Sequence, residues 1–270
     1  IGLEHVSQSL KIISDTSFGC CRNLTSLDLS CLTQLQYLTR YAIHGCTSLT
    51  EVDLSSSVRL EFIEFQTFGD CKALRTIHLP PNLKRIASNA FEGCSALESL
   101  VIPASLETMG QFAFQQCSSL TRVTFQSTSK LEWVHGEAFW GCSALESLVI
   151  PASVETMGQC TFQHCFSLTR VAFQSTRHLR TLLNDNQFHD CTSLHTLELQ
   201  GPTIPRKLWP RLLERFWKRG RGILFLGGIR KRKQHLTIAW NFIRANITNF
   251  YLEDKKPAYS RKRDILSMAV

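Results

Sequence analysis

Ala113-Phe114-Gln115-Gln116-Cys117-Ser118-Ser119-Leu120-Thr121-Arg122-Val123-Thr124-Phe125 is the stretch that decides the fold. An aromatic residue, two others and a cysteine are followed three residues on by leucine. Val123 and Phe125 then alternate with a period of two, as in a short strand with one buried side. The phrase returns eight times, on Phe18/Cys21, Ile43/Cys46, Phe68/Cys71, Phe91/Cys94, Phe114/Cys117, Phe139/Cys142, Phe162/Cys165 and Phe188/Cys191. Successive cysteines lie 25, 25, 23, 23, 25, 23 and 26 residues apart. A period of this size, held over three-quarters of the chain, specifies a solenoid. One such unit is too short to bury a core alone, so stacked neighbours share one apolar spine and one long exposed face. An array of this kind is built to bind rather than to catalyse.

The phrase extends in both directions. Each strand is closed by a turn, with Pro80-Pro81-Asn82, Pro103-Ala104-Ser105 and Pro151-Ala152-Ser153 as the clearest cases. Proline pre-sets φ and cannot donate to a ladder, so the strand ends there. A second apolar pair follows: Leu35/Leu38, Leu60/Ile63, Leu83/Ile86, Leu106/Met109, Leu131/Val134, Val154/Met157 and Leu179/Leu182. With the next Phe-x-x-Cys it supplies the return leg of a coil. Residues 94–131 and 142–179 agree at 30 of 38 positions, which points to a recent duplication of two coils.

This grammar resembles the BspA-like, Treponema-type leucine-rich repeat, roughly A-F-x-x-C-x-x-L-x-x-V-x-I-P-x-S-V-x-x-I-G. Ala113-Phe114 through Cys117, Leu120 and Val123 match its first half, and Leu145, Leu148, Ile150-Pro151, Ser153-Val154 and Met157-Gly158 its second. The resemblance covers residues 1–200. It implies a right-handed leucine-rich repeat solenoid of about eight coils, of the horseshoe class, mainly β with short turns or 3-10 segments. It also implies a β-lined concave face and a role in protein recognition or adhesion, as in bacterial surface proteins and expanded families of single-celled eukaryotes.

Eleven cysteines occur, eight of them at the repeat position, where they are expected to stack as small buried residues. Parallel side chains at one stacked position rarely meet disulfide geometry. Cys160, His164, Cys165, His189 and Cys191 lack the paired spacing of a zinc site, so no metal and no cofactor are expected. Unbridged cysteines lean towards a reducing compartment, cytoplasmic or nuclear. The chain starts at Ile1, which aligns with Leu74 part-way through a coil, and this reads as a truncation. The lack of a signal peptide or membrane span therefore leaves secretion and a cell-surface location open.

Charge is divided unevenly. Residues 1–200 carry 13 Lys/Arg against 18 Asp/Glu, while residues 201–270 carry 17 against 4. Gly201-Pro202 and Pro205 mark the boundary. Beyond it Leu208, Trp209, Leu212, Leu213, Phe216 and Trp217 recur at helical spacing, as do Leu236, Trp240, Ile243 and Ile247. Residues 201–254 are expected to form a basic helical cap over the last coil, and 255–270 a basic, disordered tail. Arg230, Lys231, Arg232 and Lys233, with Lys255, Lys256, Arg261, Lys262 and Arg263, make a candidate basic patch. It supports an alternative reading, nucleic-acid or anionic-surface binding, although no recognition motif accompanies it.

No Gly-x-Ser-x-Gly, phosphate loop or His-Glu-x-x-His occurs, so the chain is read as no enzyme. Ligand recognition is expected instead on the residues flanking each buried strand position. These are Ser26, Asp28, Glu51, Asp53, Thr76, His78, Ser99, Arg122, Thr124, Arg170, Thr196 and Glu198, with Val101, Ser147, Val149 and Ala172 between them. The first coils present acid and the later ones Arg122 and Arg170, a pattern that would hold a protein partner in one orientation. A monomer binding a protein along this face is the expected form.

Overall fold

A computed structural model of the chain describes residues 9–175, 177–178 and 187–200 and the strand at 223–227. Fourteen short strands alternate along the repeat: β1 (Ile12–Ile13), β2 (Tyr37–Leu38), β3 (Glu51–Asp53), β4 (Phe62–Ile63), β5 (Thr76–His78), β6 (Arg85–Ile86), β7 (Ser99–Ile102), β8 (Thr108–Met109), β9 (Arg122–Phe125), β10 (Trp133–Val134), β11 (Ser147–Ile150), β12 (Thr156–Met157), β13 (Arg170–Phe173) and β14 (Thr196–Gln200). A further strand, β15 (Ile223–Gly227), falls within the stretch expected to be a helical cap. The rest of that cap, the 255–270 tail, the whole basic patch and the pair Leu179/Leu182 lie outside the described residues. The chain divides into two units, Ile1–Phe225 and Leu226–Val270.

The return leg is itself a sheet. β1, β2, β4, β6, β8, β10 and β12 form a parallel array in that order, with Ile12 opposite Tyr37 and Phe62 opposite Arg85. The longer strands form the other side: β7, β9, β11, β13 and β14 are parallel neighbours, and β3 pairs with β5. Leu27 bridges to Val52 ahead of β3, and Glu98 N donates to Arg75 O at 3.2 Å between β5 and β7, so this side continues from coil to coil. No helix occurs among the described residues; the short 3-10 segments that the repeat allowed are turns instead.

Those turns form the third side, the Phe-x-x-Cys segment, and they too are bonded between coils. Phe68 N donates to Ala90 O and Phe91 N to Ala113 O, both at 2.8 Å. Aiming amides along the axis requires two left-handed residues per coil, two positions before and two after the phenylalanine. Gln66 and Asp70 have φ of 53° and 56°, Asn89 and Gly93 58° and 72°, and Glu137 and Gly141 58° and 72°. Only the second position shows in the sequence, where glycine precedes cysteine three times.

Inside the three sides the ladders are continuous. Phe68, Phe91, Phe114, Phe139, Phe162 and Phe188 stack with centroids 5.1, 5.0, 5.4, 5.6 and 5.5 Å apart and planes within 9° of parallel. Where the repeat replaces the alanine before phenylalanine with a polar residue, the side chain finds a carbonyl, as Thr161 does with Gly158 O at 2.8 Å and Gln187 at 2.7 Å.

Candidate binding face

The strand register carries the expected ladders into space. Glu51 faces Thr76 and Asp53 faces His78 across β3 and β5. Ser99 faces Arg122, which faces Ser147; that in turn faces Arg170, and Arg170 faces Thr196. Beside them Val101 faces Thr124, while Val149, Ala172 and Glu198 follow one another. Residues two apart in a strand share a face, so the alternation in the sequence becomes one strip of side chains.

The strip is less uniform in charge than its composition implies. Asp28 accepts from Ser30 Oγ at 2.6 Å and from Ser30 N at 2.9 Å, and the Ser30 hydroxyl holds its carboxyl below the ordinary range. Burial alone would raise Asp53, but bonds from Ser55 and the nearby His78 outweigh it and its carboxyl also titrates low. Both aspartates thus form side-chain turns, Asp28 after the Leu27 bridge and Asp53 at the end of β3. His78 Nε2 lies 3.9 Å from Glu51 Oε1.

Arg170 grips Glu198 with two parallel bonds, Nε to Oε1 at 2.9 Å and Nη2 to Oε2 at 2.6 Å. That fork holds the Glu198 carboxyl below its usual value. Thr196, expected in solvent, is buried, and its hydroxyl lies 2.8 Å from His195 Nδ1. Ala172 is buried as well. Arg122 remains exposed and makes no ion pair among the described residues. Val101 is 52 % and Val149 39 % exposed, on either side of Thr124.

The opposite sheet presents an outward row that the sequence reading passed over: Ile12, Tyr37, Phe62, Arg85, Thr108, Trp133 and Thr156. Tyr37 is 52 %, Phe62 37 % and Trp133 48 % exposed. The signal was an aromatic residue directly before the buried Leu38, Ile63 and Val134.

The cysteine ladder is bonded rather than merely packed. Each buried thiol of the ladder donates to the backbone carbonyl of the phenylalanine or isoleucine one coil earlier: Cys71 to Ile43 O at 3.2 Å, Cys94 to Phe68 O at 3.1 Å, Cys117 to Phe91 O at 3.3 Å, Cys191 to Phe162 O at 2.9 Å. Burial pushes Cys46 up to about 11 and Cys71 up to about 12. Cys21, in the first described coil, is exposed, unlike its seven ladder partners. His164 and His189 each place Nδ1 beside Asp190 Oδ2, at 3.4 and 3.1 Å, while the Cys165 and Cys191 thiols donate to the Phe139 and Phe162 carbonyls.

The model of the BspA type leucine rich repeat region matches six copies, over residues 4–97, 59–169 and 127–205. The chain belongs to the BspA-type leucine-rich repeat family. Among solved structures, a leucine-rich repeat protein from Bacteroides ovatus is similar at 20 % identity and a TM-score of 0.50, over 80 % of this chain and 64 % of that one. The leucine-rich repeat protein of T. pallidum matches at 24 % identity and a TM-score of 0.45, over 72 % and 83 %. This chain thus spans less than two-thirds of the Bacteroides ovatus structure. No curated protein sequence matches it. Leucine-rich repeat proteins are in general scaffolds for protein interaction or adhesion. Among the described residues no helix is long and apolar enough to cross a membrane.

Proposed function

We propose that this BspA-type solenoid is a non-enzymatic scaffold that recognises a protein partner along its long-strand face. The observation that carries the reading is the centre of that face. Val101, Thr124 and Val149 form an exposed, largely apolar patch on neighbouring strands, and Arg122 stands beside it without an ion pair among the described residues. Interface cores combine apolar area with arginine and are poor in other charges. The Arg170–Glu198 fork and the turn-closing aspartates lie towards the ends, so they fit a rim that sets register more than affinity.

The test is capture of proteins by the full chain at low and high salt, beside an Arg122→Glu variant and one with Arg230–Lys233 changed to alanine. The reading expects a protein retained at high salt, lost with Arg122→Glu and kept by the alanine variant. The basic patch supports a second reading through its charge alone. Nucleic acid captured only at low salt, and lost with the alanine variant, would replace the first reading with that one.

A further inference from the structure

We propose that the groove between Tyr37 and Phe62, on the short-strand sheet, is a saccharide-binding site. Tyr37 on β2 and Phe62 on β4 occupy adjacent strands, with Leu38 and Ile63, the next residues, directly opposite each other. The internal phenylalanines stack on one another, but these two rings flank an open groove of about 370 Å³. Asp15, Leu38, Thr39, Arg40 and Glu64 complete its lining. Aromatic walls with a few convergent polar groups are what small-ligand sites are made of.

The charges in the groove select among ligands. A cation is disfavoured because the protein already supplies one: Arg85 lies 5.6 Å from the Phe62 ring centre and 3.7 Å from Glu64 Oε1. Arg40 adds a second positive charge to the lining. An anion would meet Asp15 and Glu64. A wholly apolar ligand would strip water from three charged side chains and give nothing back. What remains is a neutral molecule with a C–H face for the rings and hydroxyls for the edge. A hydroxyl can donate to a carboxylate and accept from a guanidinium in the same pose. A sugar ring has both surfaces.

This site stands apart from the protein-recognition reading, since it lies on the other sheet and uses none of the same residues. The experiment is saturation-transfer NMR on the full chain with neutral oligosaccharides, namely maltotetraose, cellotetraose, chitotetraose and mannotetraose. The expected result is binding of at least one that survives high salt. It should weaken by at least about tenfold in Tyr37→Ala and in Phe62→Ala, the loss of one ring contact and its buried area. Asp15→Asn should weaken it, and Arg122→Glu on the other sheet should leave it unchanged. Should an aromatic variant alter the circular dichroism, Asp15→Asn decides instead, because an exposed carboxylate bears little of the fold. No transfer to any of the four sugars, or transfer undiminished in these variants, would overturn the proposal. So would binding that follows ionic strength.

Discussion

The Phe91 carbonyl accepts two donors, the Cys94 amide at 3.2 Å within its own coil and the Cys117 thiol at 3.3 Å from the next. A carbonyl has two lone pairs, and the thiol fills the second without the bulk of a longer side chain. Cys117→Ala should therefore cost only about 1–2 kcal/mol, from one weak bond and a small cavity, as read by chemical denaturation. The same burial governs reactivity. Iodoacetamide on the native chain should label exposed Cys20 and Cys21 first and leave Cys94, Cys117 and Cys142 unmodified, as peptide mass spectrometry would show. It also sets a pH limit. Thiols near 9 in the unfolded chain against about 12 for Cys71 mean that the unfolded state releases protons first. Stability is then intact below pH 9 and falls above it, by about 1.4 kcal/mol per pH unit for each such thiol. An unfolding midpoint unchanged between pH 8 and about 11 would count against a buried ladder.

Each coil is an element with three hydrogen-bonded sides, and the turn side imposes the strictest backbone demands. Gly141 has φ of 72°, where a Cβ would also come 2.7 Å from Gln116 Nε2. Gly141→Ala should cost about 1–2 kcal/mol, mostly backbone strain, since the glutamine end can swing aside. At Gly110 a Cβ would lie 2.5 Å from both the carbonyl carbon of Ala87 and the amide nitrogen of Ser88, which cannot yield. Gly110→Ala should lower the melting temperature further than Gly141→Ala. Sequence reading reached the spine and the ladder register because both are periodic and apolar: Leu100, Val123 and Leu148 declare themselves. It missed the second sheet as a sheet, since two-residue strands such as Thr108–Met109 leave too little alternation to read. It missed the left-handed pair because Gln66, Asn89 and Glu137 carry no glycine signal. It could not see that Arg170 is held by Glu198, which depends on the next coil.

For the molecule as a whole, stability is shared between neighbours, so position in the array matters as much as residue type. Phe114→Ala, with stacked rings on both sides, should cost about 3–5 kcal/mol and raise hydrogen exchange in the coils that flank it. Coils further along should respond less, which exchange mass spectrometry resolves. The two sheets then offer two surfaces of different chemistry, one with Val101, Arg122 and Val149, the other with Tyr37, Phe62 and Trp133. Protein recognition belongs to the first in this account. The most direct test places a photo-crosslinking residue at Thr124 on the long-strand face or at Thr108 on the short-strand face, in the full chain and at high salt. The account predicts a protein adduct from position 124 that Arg122→Glu abolishes, and none from position 108. Equal adducts from both positions, or adducts indifferent to Arg122→Glu, would contradict it.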